Sequence, residues 1–68
     1  MTKRDYDMIA RCIGSVRANT SDDNIIRILA IDDLSLKLIL EMKFDNPRFN
    51  EVSFWTRVEY WRKLHAGG

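Results

Sequence analysis

The chain has 68 residues, of which 46% are hydrophobic and 31% charged, and its formal net charge is +1 at pH 7. This length fits one domain, residues 1–68, near the lower limit for a self-sufficient core, and the small net charge excludes a strongly basic nucleic-acid binder. A single cysteine, Cys12, excludes an internal disulfide and a cysteine-based metal site. The charged N-terminal segment and the lack of a membrane-length apolar run indicate a cytoplasmic protein without membrane contact.

The N-terminal segment has the pattern of an amphipathic helix. Thr2 and Asp5 have the spacing of a capping box, in which a hydroxyl and a carboxylate each bond the other residue's backbone N–H. The apolar positions on one face are Tyr6, Ile9, Cys12, Ile13 and Val16. The sequence therefore predicts a first helix over residues 3–17, with Gly14 weakening its last turn.

The central run, NIIRILAIDDLSLKLILEMKF, carries two apolar stripes when it is placed on a helix. The first stripe, centred on Asp32, contains Ile25, Ile28, Leu29, Leu36, Ile39 and Leu40. The second stripe contains Ile31, Leu34, Leu38 and Met42. Ser21 or Asp22 can cap this helix at its start.

Two other structures remain open for this run. Alternation of apolar and polar residues after Asp33 also fits a β-hairpin with its turn at Asp32-Asp33. The composition favours a helix, because Leu, Lys, Glu and Met lose little rotamer freedom in one and the turn lacks a glycine. Either aspartate could also cap a new helix, which would break the run into two.

The segment DNPRFN marks the end of the central run and the start of a last helix. Asn46 precedes a proline and is pushed out of the α region. Asn50 is a good N-cap, and Phe49 with Phe54 has the spacing of a hydrophobic staple. The last helix is predicted over residues 51–64, followed by fraying of the last three residues. Its core-facing positions are Phe54, Val58 and Trp61.

These elements predict an all-α domain of three helices, or four if the central helix breaks. The two ends of the chain each carry a net charge of +2, and the middle carries −3. This distribution favours terminal helices that dock on a central acidic helix.

The segments MTKRDYDMIA and FDNPRFNEVSF resemble a group of short phage and prophage proteins of undefined function. Those proteins start with Met-Thr-Lys/Arg, an aromatic residue and Ile-Ala, and close on Asp-Asn-Pro-Arg-Phe-Asp before a Phe-containing helix. Here Asn50 replaces the last aspartate, and the tail TRVEYWRKLHAGG is longer and richer in Trp and Tyr. The resemblance covers the two ends of the chain. It implies a helical hairpin in the middle and a viral origin, and it implies no activity.

No constellation in the sequence carries recognisable catalytic chemistry. His65 is the only histidine, and no Cys or Ser is placed in sequence to be activated by it. Adjacent residues Asp32 and Asp33 point about 100° apart on a helix, so they cannot face one substrate together. Asp32 is instead expected to cap a helix or to pair with one of the first helix's arginines, which are Arg4, Arg11 and Arg17. With no spaced ligand set for a metal and no cofactor motif, the prediction is a protein that is not an enzyme.

The last helix has more aromatic and basic side chains than its core face needs. Exposed aromatics beside arginine are typical of binding hot spots, so this helix is the predicted partner-binding surface. Its predicted residues are Trp55, Tyr60 and Arg62, with Arg57 and Lys63 at the rim. We expect Arg62 to stack on Trp55, although Trp55 could instead lie flat over the edge of the core.

The second stripe of the central helix is another set of residues in excess of what the core needs. If the small core cannot cover it, this stripe is expected to form a homodimer interface, which would relieve the shortage of core. Its residues are Ile31, Leu34, Leu38 and Met42.

The function expected from these features is that of a phage-encoded accessory protein that binds and modulates or inhibits a host protein. A defence enzyme such as a CRISPR effector is one target of this kind. The alternative is a nucleic-acid-binding regulator, in which the second helix, the DNPRFN turn and the third helix imitate a helix-turn-helix.

Overall fold

The computed structural model describes residues 2–67 and contains three helices. They are α1 (Lys3–Ala18), α2 (Ile25–Asp45) and α3 (Glu51–Gly67). Over residues 2–67 there is no strand, so the all-α prediction is confirmed and the β-hairpin is wrong. Because α2 continues through Asp32-Asp33, the fold has three helices and not four.

The predicted capping box opens α1. The Thr2 Oγ1 accepts a hydrogen bond from the Asp5 backbone N–H at 3.4 Å, and the Asp5 Oδ2 accepts one from the Thr2 N–H at 2.9 Å. These bonds, chiefly the one from the Thr2 backbone, hold the pKa of Asp5 below its ordinary value. At the other end, the buried Thr20 hydroxyl donates to the Val16 carbonyl oxygen at 2.8 Å.

Helix α2 begins at a different cap from the one predicted. The Asn24 Oδ1 accepts from the Arg27 backbone N–H at 3.2 Å, whereas Ser21 closes a short turn with Asp23. At the C-terminal end, Asn46 is extended (φ −136°, ψ 100°), as expected for a residue before proline.

Asp32 lies half-buried in the unbroken helix, so it is not a cap. Within residues 2–67 it also makes no ion pair with the arginines predicted to hold it, which are Arg4, Arg11 and Arg17.

The start of α3 is built as predicted. The Asn50 Oδ1 accepts from the Ser53 backbone N–H at 3.0 Å, and the Phe49 and Phe54 rings lie 5.5 Å apart. Tyr6 of α1 packs on Phe49 at 5.0 Å, which ties the first helix to the turn. The helix extends beyond the predicted residues 51–64 to Gly67. The predicted fraying of Ala66 and Gly67 is therefore wrong, because both belong to the helix, and that of Gly68 lies outside the described residues.

The closest helix pair is α1 with α3, and small residues make it possible. Ala10 is fully buried, and a Cβ built on Gly14 would lie 2.7 Å from the Val58 carbonyl oxygen and 2.8 Å from the Arg62 nitrogen. Gly14 therefore allows the two backbones to approach each other. Cys12 and Val16, predicted on the inner face, are exposed, because α3 lies over the Ala10–Gly14 side of α1.

Helix α2 is not the centre of the fold, which corrects the expectation that the terminal helices dock on it. It packs against the α1–α3 pair through Ser35, Ile39 and Met42, which are its buried residues. The Ser35 hydroxyl is satisfied within the helix by the Ile31 carbonyl oxygen at 2.7 Å. The buried core consists of Ala10, Ile39, Met42, Phe49, Phe54 and Val58.

Candidate functional site

One group of side chains on the outer side of the α1–α3 pair, here called the aromatic–arginine cluster, consists of Asp7, Arg11, Arg57, Tyr60 and Trp61. The Arg57 Nε donates to the Asp7 Oδ1 at 2.7 Å, and the Trp61 Nε1 donates to the same oxygen at 3.2 Å. The Arg57 guanidinium carbon lies 4.6 Å from the Tyr60 ring centroid and 5.5 Å from that of Trp61. Arg11 lies over the Trp61 ring at 5.8 Å. Arg57 is thus held between a carboxylate and two aromatic rings.

The electrostatics of the cluster keep its ion pair charged. The Arg57 hydrogen bond, with help from the Trp61 N–H, holds the pKa of Asp7 below its ordinary value of 3.8. The same bond to Asp7 raises the pKa of Arg57. Both side chains are partly open to solvent, so the pair orients Arg57 more than it stabilises the fold.

The exposed part of this surface is aromatic and aliphatic. Tyr60 is 49% exposed, and Leu64, one turn further along the same side of α3, is 52% exposed. Trp61, whose ring meets that of Tyr60 edge-on at 5.1 Å, is half-buried and packs against the core, as its predicted inward position requires. Asp7, Arg11 and Leu64 were not among the predicted site residues. Nothing in the sequence places Asp7 beside Arg57, since the two meet only through the packing of α1 on α3.

The five residues predicted for partner binding do not form one surface. Arg57 and Tyr60 lie together, about 60° apart on the helix, whereas Trp55 and Arg62 lie about 140° and 160° from Tyr60. Trp55 is half-buried against the core and meets the Phe54 ring edge-on at 6.4 Å, so it lies over the core edge.

Arg62 does not stack on Trp55 in this structure. Its Nη2 and Nε donate to the Glu59 Oε2 at 2.8 and 3.0 Å, so it forms an ion pair within α3 in place of the predicted stacking on Trp55. That pair lowers the pKa of Glu59. Lys63, the remaining predicted residue, is exposed.

A second surface, here called the α2 apolar face, is left open by the fold. It consists of Ile25, Ile26, Leu29, Leu36, Leu40 and Phe44, which are 54–89% exposed. Four of these belong to the stripe that the sequence placed around Asp32. Of that stripe, Ile39 is buried and Ile28 half-buried.

The stripe predicted as a dimer interface is divided by the fold. Met42 is in the core, Ile31 and Leu38 are half-buried, and Leu34 is exposed. These four residues therefore do not form an open stripe, because α2 turns the side between the two predicted stripes toward α1 and α3. Met42 is not accessible to a second copy in this fold.

A groove with a basic lining runs between the start of α1, the turn and the start of α3. Its charged residues are Lys3, Arg4, Asp7, Arg48 and Arg57. Within residues 2–67, Lys3, Arg4 and Arg48 are in no ion pair, so three cations of this groove are available to an anionic ligand.

The structure places His65 closer to other reactive residues than the sequence indicated. His65 lines a shallow depression with Cys12 and Ser15 of α1. Over residues 2–67 no hydrogen bond joins it to either one. Among those residues there is also no group of three or more His, Cys, Asp or Glu side chains that could hold a metal ion. In the described part of the chain, every helix is too short or too polar to cross a membrane.

Comparison of the chain with protein-family models, curated proteins and solved structures gave no match. The function is therefore argued from the geometry of these surfaces.

Proposed function

We propose that this chain is a small phage-encoded accessory protein that binds a host protein and modulates or inhibits it through the aromatic–arginine cluster. The observation that supports this proposal most directly is the position of Tyr60. Its ring is half-exposed but fixed from one side by Arg57, which is itself held by Asp7. Folding gains little from leaving a large aromatic ring at the surface, whereas a binding surface gains from it.

The cluster has the composition and rigidity of a protein-binding hot spot. Tyrosine and arginine are enriched among residues that dominate binding energy, and Leu64 extends the apolar contact beside Tyr60. Holding Arg57 between Asp7 and two rings limits the rotamer freedom that it would lose on binding. A partner that covers Tyr60 and offers a carboxylate or a carbonyl to Arg57 fits this chemistry.

The viral origin in this proposal comes from the resemblance of the two ends of the chain to short phage proteins. A phage protein of this size can act by occlusion alone, since covering the working surface of a host enzyme needs no catalysis. A host defence enzyme, such as a CRISPR effector, is the class of target proposed.

The test is affinity capture from a lysate of a bacterial host, comparing Arg57→Ala with Arg62→Ala. Both arginines lie on α3 in ion pairs, on opposite sides of the helix, so each is a matched control for the other. Arg57→Ala is expected to lose the captured protein, and Arg62→Ala to retain it. Loss with Arg62→Ala alone would place the contact on the other side of α3 and contradict the proposed surface.

A second candidate function, a nucleic-acid-binding regulator, is favoured by the basic groove at the turn. Contacts between these cations and phosphates would make the affinity fall steeply with salt. The check is the binding of labelled duplex DNA and RNA between about 50 and 200 mM salt, where a few phosphate contacts give a tenfold or larger change. Arg48→Ala should then reduce the salt dependence, while no binding at the lower salt would eliminate this candidate.

A further inference from the structure

We infer that the α2 apolar face is covered in solution by the same face of a second copy, in an antiparallel two-fold pair. This inference does not depend on the proposed host partner, because the α2 apolar face shares no residue with the aromatic–arginine cluster. It also differs from the dimer predicted from the sequence, which used residues that the fold partly buries.

The face is large for so small a protein, although its arc also contains the charged residues Asp33 and Lys43. Its side chains recur along the helix from residue 25 to residue 44, a distance of about 29 Å, and lie within an arc of about 100°. Each large apolar side chain can bury on the order of 100 Å², so the six offer on the order of 600 Å² per copy. A standard stable interface buries roughly 600–1,000 Å² per partner, so this face reaches the lower end of that range.

The spacing of the face favours an antiparallel partner. Ile25 and Phe44 are equally distant from a point between residues 34 and 35, and so are Leu29 and Leu40. When two antiparallel copies are centred on this point, Leu29 of each lies at the level of Leu40 of the other. Ile25 likewise lies at the level of Phe44. A two-fold axis therefore brings large apolar residues to the same level at these two pairs of positions, whereas Ile26 lies at the level of Lys43 and Leu36 at the level of Asp33.

Two charged residues midway along the face agree with the same register. Asp33 and Lys37 lie on the same side of the midline of the apolar arc, and within residues 2–67 neither is in an ion pair. A two-fold antiparallel pair places like flanks together, so Asp33 lies within about one residue of the level of Lys37 of the second copy, twice per dimer. A parallel pair about a two-fold axis along the helices would instead put these flanks on opposite sides of the contact, so Asp33 and Lys37 would gain no such ion pairs.

The first experiment is sedimentation equilibrium of the full chain and two variants at tens of micromolar. Leu40→Glu lies on the α2 apolar face, and Leu34→Glu is its matched control on the same helix, 62% exposed against 65% but about 120° away. We expect a wild-type dimer, a monomer with Leu40→Glu, and a dimer with Leu34→Glu, all with unchanged far-UV circular dichroism. A monomeric wild type, or a dimer that only Leu34→Glu dissociates, would overturn the inference.

The second experiment tests the register by oxidative cross-linking in a Cys12→Ser background. The double variant Leu29→Cys with Leu40→Cys should form a covalent dimer. Its two thiols are eleven residues apart in one helix, about 16 Å, and cannot join within a chain. Neither single variant should cross-link in the antiparallel pair. Efficient cross-linking of Leu29→Cys alone would show a parallel pair and overturn the inferred arrangement.

Discussion

The Arg57 Nε lies 2.7 Å from the Asp7 Oδ1, and this bond connects residues 50 positions apart in the chain. It joins α3 to α1 two turns before Gly14, where the two backbones approach each other. The same guanidinium contacts the Tyr60 ring, so a contact that aligns two helices also fixes the exposed aromatic of the proposed binding surface.

The contribution of the Asp7–Arg57 ion pair to folding stability should depend on pH. The folded-state pKa of Asp7 is depressed below 3.8, mainly by Arg57, so its stabilisation is complete above 3.8 and is lost as pH falls through the lower folded value. We expect Asp7→Asn to lower the thermal midpoint slightly at neutral pH, with the difference from wild type shrinking below pH 3.8. Asp5 and Glu59 titrate in both proteins, so the comparison isolates Asp7. A difference that grows on acidification would contradict this assignment.

Gly14→Ala tests the close packing of α1 on α3. The added Cβ would meet backbone atoms of α3 at 2.7–2.8 Å, which no side-chain movement can relieve. The helices would have to separate, and we expect a loss of about 1–3 kcal/mol in the free energy of unfolding, measured by urea denaturation. Ser15→Ala, at the next position, is the control and should change stability little. A neutral or stabilised Gly14→Ala variant would show that the helices are further apart than described.

Tyr60→Ala and Trp61→Ala separate the binding surface from the core. Trp61 packs on the buried cluster and donates to Asp7, so its truncation is expected to cost about 3 kcal/mol of folding stability, the lower end for a core aromatic because it is half-buried. Tyr60→Ala should leave the thermal midpoint nearly unchanged. The reverse order of stabilities would mean that α3 is rotated relative to this description.

The helices and their caps could be predicted from local sequence, because the signals act within a few residues. The Thr2–Asp5 box, the Asn50 cap and the Phe49–Phe54 staple are all present. The cap of α2 was wrong, since several polar residues precede that helix and Asn24, the last of them, takes the role.

The arrangement of the helices could not be predicted, and the error has a physical cause. Helix α2 is apolar around most of its circumference, so periodicity does not show which side faces inward. The decision depends on Ala10 and Gly14, whose small side chains bring α1 against α3 and leave α2 at the side. The candidate site was half predicted for the same reason: Arg57 and Tyr60 were identified, but Asp7 joins them only through that packing.

The most direct measurement of the proposed function is the affinity of the captured host protein for purified wild type and Tyr60→Ala, by isothermal titration calorimetry. As a control, Val52→Ala removes an exposed side chain at the other end of α3. We expect Tyr60→Ala to weaken binding by about 1–3 kcal/mol, roughly 5-fold to 150-fold in Kd, with Val52→Ala unchanged and all three proteins equally stable. An unchanged Kd for Tyr60→Ala would contradict the assignment of the aromatic–arginine cluster as the binding surface.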